Sequence, residues 1–156
     1  MQTIDPAKAA RVWQRVQSTG HGEAREQGLQ ELILQKWTDA ATYLLLSRRF
    51  SGRESVILRK LYQEEQTQGN CLKGIYTLLT GSHPTINALP PRQENTEAIL
   101  RHCYGQEMHA LAQYEKRSSD PEFGQVFARL AQQEQEHCRL ILEILGACKN
   151  KSKSRS

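Results

Sequence analysis

Six residues of this sequence have the types and spacing to do chemistry together. They are Glu134 and His137, three apart in QQEQEHC; Glu107; Glu65 and Gln68, three apart in LYQEEQTQ; and Lys36. In a helix, residues three apart lie on one face a turn apart, so the Glu134 carboxylate and the His137 imidazole reach one point in space. Carboxylate oxygen and neutral imidazole nitrogen are donors that suit first-row divalent ions. Gln68 stands to Glu65 as His137 stands to Glu134, with an amide where the imidazole would be. Lys36 brings an ammonium, a group that donates hydrogen bonds and cannot ligate while protonated.

The segments that carry these residues read as helices, because their apolar positions fall at alternating steps of three and four. The first long segment runs Leu29, Ile33, Lys36, Ala40, Tyr43, Ser47, Phe50 and ends near Gly52. The second runs Leu58, Leu61, Glu65, Gln68, Leu72, Ile75, Leu79 and stops at Thr80-Gly81. The third runs Leu100, Cys103, Glu107, Ala110 or Leu111, Tyr114. The fourth opens at Asp120-Pro121, runs Phe123, Phe127, Leu130, Glu134, His137, Ile141, Leu145 and stops before Gly146. A shorter docking helix is expected ahead of them, from the cap Asp5-Pro6 through Ala9, Val12, Trp13 and Val16, closed by Gly20, Gly22 and Gly28. Two-residue alternation and hairpin dipeptides are missing from the sequence, so the class is all-α.

Loop lengths set the topology. About three residues separate helices one and two, and about three separate helices three and four, which makes each pair an antiparallel hairpin. Between the pairs lies GSHPTINALPPRQEN. Extended, that segment reaches roughly 45 Å, more than the roughly 35 Å of a helix of this length, so it can cross the whole bundle. The expected fold is a four-helix bundle, up-down-down-up, with the long crossover between helices two and three. In that arrangement every one of the six polar residues interrupts its own apolar stripe at the same depth. Burying an unpaired carboxylate costs several kcal/mol, and a cation is the natural reason for four helices to incur that cost at one level.

Composition adds boundaries. The 156 residues are 38% hydrophobic and 24% charged, enough for one core. The net charge of +4 comes from Lys149, Lys151, Lys153 and Arg155 in the closing KNKSKSRS, so residues 1–148 balance. The expected organisation is an N-terminal helix and loop over 1–25, the bundle over 26–148, and a solvated, disordered basic tail over 149–156. The sequence has no run of 18 apolar residues, and the start MQTIDPAKAARVWQRVQ has no apolar signal core; neither a membrane nor a nucleic-acid partner is expected, and the cytoplasm is the default location. Cys71, Cys103, Cys138 and Cys148 form no CxxC pair, which argues against a zinc knuckle and against structural disulfides. Cys103 and Cys138 fall at one level beside the polar residues and read as small buried hydrophobes there.

A Glu from each of two helices, plus Glu-x-x-His from the other two, is the ligand plan of carboxylate-bridged di-iron bundles. Over roughly residues 26–146 the chain resembles the ferritin-like superfamily, in particular rubrerythrin-type di-iron proteins. Glu134-x-x-His137 matches the ligand motif intact, and Glu107 with Tyr114 seven residues on repeats a spacing of that family. The two halves of the chain correspond: LYQEEQTQ aligns with LAQQEQEH, and KWTDAATY with EMHALAQY. Gln68 thus stands where a His is expected and Lys36 where a Glu is expected. The resemblance implies one metal held by the helix-one Glu and helix-two His, a second held by Glu107 and His137, and Glu65 and Glu134 bridging them. Lys36 and Gln68 remove both non-bridging ligands of the first metal.

Charge counting agrees. Four carboxylates match two divalent ions; three carboxylates and one ammonium, with His137 neutral, match one. The Lys36 ammonium is therefore expected to stand where one metal would sit, bound to Glu65. Glu65, Glu107, Glu134 and His137 remain as ligands for iron or another divalent metal, as one ion or none. Di-iron peroxidase or oxidoreductase chemistry of the rubrerythrin type is an alternative, disfavoured because it needs two irons. A metal-free structural or interaction bundle is another. The resemblance is compatible with a homodimer.

Overall fold

The computed structural model of the protein describes residues 6–7, 19–87 and 89–153. It places four helices: α1 Thr19–Ser47, α2 Gly52–Thr80, α3 Thr96–Arg117 and α4 Gly124–Lys153. Among the described residues there is no strand.

Local chemistry sets most of the ends. Gly52 and Gly81 have φ of 65° and 72°, the left-handed region that glycine occupies without cost, and they bracket α2. The Gly81 N–H bonds the Thr77 carbonyl at 2.8 Å, closing the last turn. Asn95 caps α3 by accepting the Ala98 N–H at 2.8 Å. Asp120 accepts the Glu122 and Phe123 N–H groups, both at 2.9 Å, and turns the chain into α4. A side chain at Gly124 would strike the Ser118 carbonyl, so the α3–α4 connection needs glycine there.

Two helices overrun the ends that the sequence suggests. Gly20, Gly22 and Gly28 lie inside α1 instead of closing a shorter helix, and α1 crosses the expected boundary at residue 26. At Gly28 the reason is burial: Leu29 directly after it, then Leu32 and Ile33, pack in the core and hold the helix through the glycine. α4 continues through Gly146 to Lys153, into the stretch expected as tail. Ile144 is buried there, and Leu145 and Cys148 pack against the core, so apolar contact continues across the glycine and outweighs its helix penalty of about 1 kcal/mol. The expected docking helix around Ala9–Val16 lies outside the described residues.

The core comes in two halves. One contains Leu29, Leu32 and Ile33 of α1, Leu72, Ile75 and Tyr76 of α2, Ala110 and Tyr114 of α3, and Phe127 and Leu130 of α4. The other contains Tyr43 and Leu46, then Leu58 and Leu61, then Ile99, Leu100 and Cys103, then Leu140, Ile141 and Ile144. α1 and α4 start in the first half and end in the second; α2 and α3 run the other way. The order is up-down-down-up. The crossover after Gly81 touches both ends: Gln30 near the start of α1 donates to the Thr85 carbonyl at 3.4 Å, and Arg49 in the α1–α2 turn donates to the Glu94 carbonyl at 3.1 Å. Between the two apolar halves lies a polar layer, where helix register brings the six singled-out residues together. No described helix is long and apolar enough to cross a membrane.

Candidate metal centre

Lys36, Glu65, Glu107, Glu134 and His137 are each 0% exposed, and Gln68 is 1% exposed. One ligand atom from each of Glu65, Glu107, Glu134 and His137 lies within 4.8 Å of all the others. Each helix contributes at least one member of the layer, because the stripe positions that would otherwise carry leucines point to the bundle axis there.

Lys36 reaches the axis and does not turn out to solvent. Its Nζ lies 2.9 Å from Glu134 Oε1, 3.1 Å from Glu65 Oε2 and 3.3 Å from Glu65 Oε1. The sequence pairs it with Glu65 alone; the structure adds Glu134. His137 faces the cluster with Nδ1, at 3.0 Å from Glu107 Oε2, 3.1 Å from Glu65 Oε1 and 3.7 Å from Glu134 Oε1. Glu65 and Glu134 therefore lie between His137 on one side and Lys36 on the other. Tyr43 donates to Glu107 at 2.9 Å. Gln68 turns from the cluster: its Oε1 accepts from Tyr114 at 3.0 Å and its Nε2 donates to Gln133 at 3.2 Å.

Two further carboxyl groups belong to the site. Glu64 Oε2 lies 2.7 Å from His137 Nε2, so the imidazole is held at both nitrogens. Asp39 is 3% exposed at the same level, its Oδ2 accepting from Gln35 at 3.4 Å. Asp39 follows Lys36 by three residues, the spacing already used for Glu134 and His137, and that spacing was the available signal. Glu64 carried none beyond its place next to Glu65.

Asp39 adds a fourth carboxyl to a layer counted from sequence as three. Burial, then the Glu65 and Glu107 charges, push its pKa well above the usual carboxylate range. Glu134 is pushed up to about 8, chiefly by burial and despite Lys36. Burial works against a charged His137, but hydrogen bonds to Glu107, Glu64 and Glu65 win and raise it to about 12. Lys36 shows the same contest: burial lowers its pKa, and the charges of Glu107 and Glu65 lift it well above its ordinary value. Without an ion, Lys36 and His137 both serve as cations against the carboxylates of the cluster.

This arrangement fixes a pH dependence. Both raised groups hold protons in the fold that the unfolded chain gives up, Glu134 between 4.5 and about 8 and His137 between 6.5 and about 12. Stability therefore falls as pH rises through those windows. In chelator, the melting temperature should be highest near pH 5 and drop steadily toward pH 9; a rise over that range would contradict the assignment of protons.

A cation fits the donors present. Glu134 Oε2 is buried with no hydrogen-bond partner, and Glu65 Oε2 has only the Lys36 contact, outside hydrogen-bond geometry. Donors around a first-row ion sit at about 2.1 Å and opposite ones about 4.2 Å apart, so the cluster needs to close only slightly. The four cysteines are free of disulfides, and burial raises the Cys103 thiol well above its ordinary pKa. His83 and His109 are exposed and His102 half-buried, away from the layer.

The sequence matches no protein-family model and no curated protein. The site is therefore defined by its own geometry: a four-helix bundle holding a buried Glu65, Glu107, Glu134, His137 cluster within metal-binding distance, closed on one side by Lys36.

Proposed function

We propose that this bundle is a ferritin-like, rubrerythrin-type protein whose two-ion cage has become a single-ion site for iron or another divalent metal. Glu65, Glu107, Glu134 and His137 are its ligands. The observation that carries the reading is the Lys36 ammonium paired with both Glu65 and Glu134, where it supplies the countercharge a second ion would bring. A bound ion supplies Lewis acidity and, for iron or manganese, a one-electron couple. The chain itself positions the donors. Glu64 fixes the His137 ring, Tyr43 anchors Glu107, and Lys36 holds the far side of the two central carboxylates. Two-electron chemistry shared between paired irons has no second ligand set here, so an enzyme of that type is disfavoured.

A second reading rests on the His137 contacts. With carboxylates on both ring nitrogens, His137 as an imidazolium gives the cluster its own second cation, which suits a metal-free bundle whose surface does the work. Titration with manganese(II) separates the two. The single-ion site should take up about one ion per chain, lost on His137→Ala with the bundle still folded. No uptake by the wild-type chain would leave the metal-free reading.

A further inference from the structure

The outer face of α3 and α4 carries a groove that the metal centre does not use. It encloses about 460 Å³ between the two helices and is lined by Arg101 and Tyr104 of α3 and by Leu142, Leu145, Gly146 and Lys149 of α4. Small-molecule sites typically have volumes of about 300–1,000 Å³. The floor is apolar and firmly seated, because Tyr104 and Leu145 pack against the core beneath it. Leu142 is left 51% exposed as one wall. Gly146 supplies the depth: a Cβ built there meets nothing within 4 Å.

Charge gathers toward one end of this groove. From Leu142 to Lys149 it follows α4 for about 10 Å, at 1.5 Å per residue. Arg101 lies nearly one turn before Tyr104, on the Lys149 side, since α3 and α4 are antiparallel. The Arg101 guanidinium donates to Glu97 at 2.8 Å. The Glu97 carboxyl is held below its ordinary pKa, first by that hydrogen bond and the Arg101 charge, then more weakly by Lys149. Two cations therefore meet one acid at this end, a balance that favours an anion.

We propose that the α3–α4 groove binds a single-chain aliphatic carboxylate, its head group at Arg101 and Lys149 and its chain lying over Leu142, Leu145 and Gly146. The lining selects this class. Apart from the charged end, only the Tyr104 hydroxyl offers a hydrogen bond, so a sugar or a nucleobase would give up water contacts without replacement. A small inorganic anion would leave the leucines uncovered. A straight chain with one charged end matches both the shape of the groove and its one-ended charge. None of Lys36, Glu65, Glu107, Glu134 and His137 lines it, so the proposal stands or falls apart from the metal reading.

The test is titration calorimetry of the full chain with hexanoate, octanoate and decanoate, below micelle-forming concentrations and in chelator to prevent insoluble metal soaps. Affinity should rise about twofold to fourfold per added methylene, the range from half to full burial of each group. Acetate should give no measurable binding. Decanol, with the chain but no charge, should bind about tenfold more weakly than decanoate, and Arg101→Gln should remove most of that difference. Gly146→Leu fills the groove while removing a helix glycine, so it should fold at least as stably as wild type and lose decanoate binding. Undiminished binding by Gly146→Leu overturns the proposal, because the carboxylate then sits elsewhere, on the basic C-terminus for example. Acetate binding as tightly as decanoate overturns the role of the leucines. No decanoate binding by wild type overturns the site itself; if the chain then sediments with anionic phosphatidylglycerol vesicles, or self-associates in a way that Gly146→Leu abolishes, this face is a membrane or protein surface instead.

Discussion

Lys36→Met should be the most damaging single substitution in the polar layer when no metal is supplied. Methionine matches the lysine stem in length and leaves the apolar contacts in place, so the change isolates the charge. Glu65 and Glu134 then lose their shared countercharge in a fully buried setting. Removing one partner of a buried pair costs about 3–5 kcal/mol, and for a bundle of this size that lowers the melting temperature by roughly 10 °C or more. The loss should shrink in the presence of divalent metal, because an ion supplies the missing charge. Thermal melts of wild type and variant in chelator and in manganese(II) check this. Equal stability in chelator would mean that Lys36 is a filler whose charge matters little.

The second large effect runs the other way. Lys36→Glu combined with Gln68→His restores, on the correspondence of the two halves, both ligands that the first ion position lacks. The double variant should bind about two divalent ions per chain, where wild type binds about one. Either change alone should fall short: Gln68→His leaves the ammonium on the carboxylates, and Lys36→Glu adds another acid without the imidazole. Equilibrium dialysis with elemental analysis measures it. A double variant that folds and binds no more metal than wild type would show that the halves do not correspond as aligned.

How far the sequence anticipates this centre depends on which physical effect dominates each residue. The six polar stripe residues were legible because helical period is a strong signal and because carboxylates at one depth are costly unless matched. Up-down-down-up order followed from loop lengths, and the reach of GSHPTINALPPRQEN is seen in its contacts at both ends of α1. Helix ends were less legible. Gly28 and Gly146 read as stops from propensity, but each lies in a helix that buries apolar residues directly beside it. Tertiary contact overrides propensity at both places. Asp39 was hidden because it adjoins Ala40, which satisfies the stripe by itself, and because α1 is buried over a broader face than one stripe. Glu64 was hidden because a glutamate next to a buried one normally faces solvent, and only the α2–α4 register brings it to His137.

Glu64 and Asp39 also change how the charge balance is reached. Counted from sequence, three carboxylates and one ammonium leave a deficit that one divalent ion fills. In the folded layer, protons on His137 and Glu134 fill the same deficit when no ion is present. Metal and protons therefore compete for one site, and ion binding should release protons and tighten as pH rises.

The most direct test is anomalous diffraction from crystals grown with manganese(II). One anomalous peak among Glu65, Glu107, Glu134 and His137 is expected, with Lys36 Nζ still against Glu65 and Glu134. Two peaks side by side within the glutamates, or Lys36 swung out toward solvent, would contradict the claim that an ammonium occupies the place of the second ion.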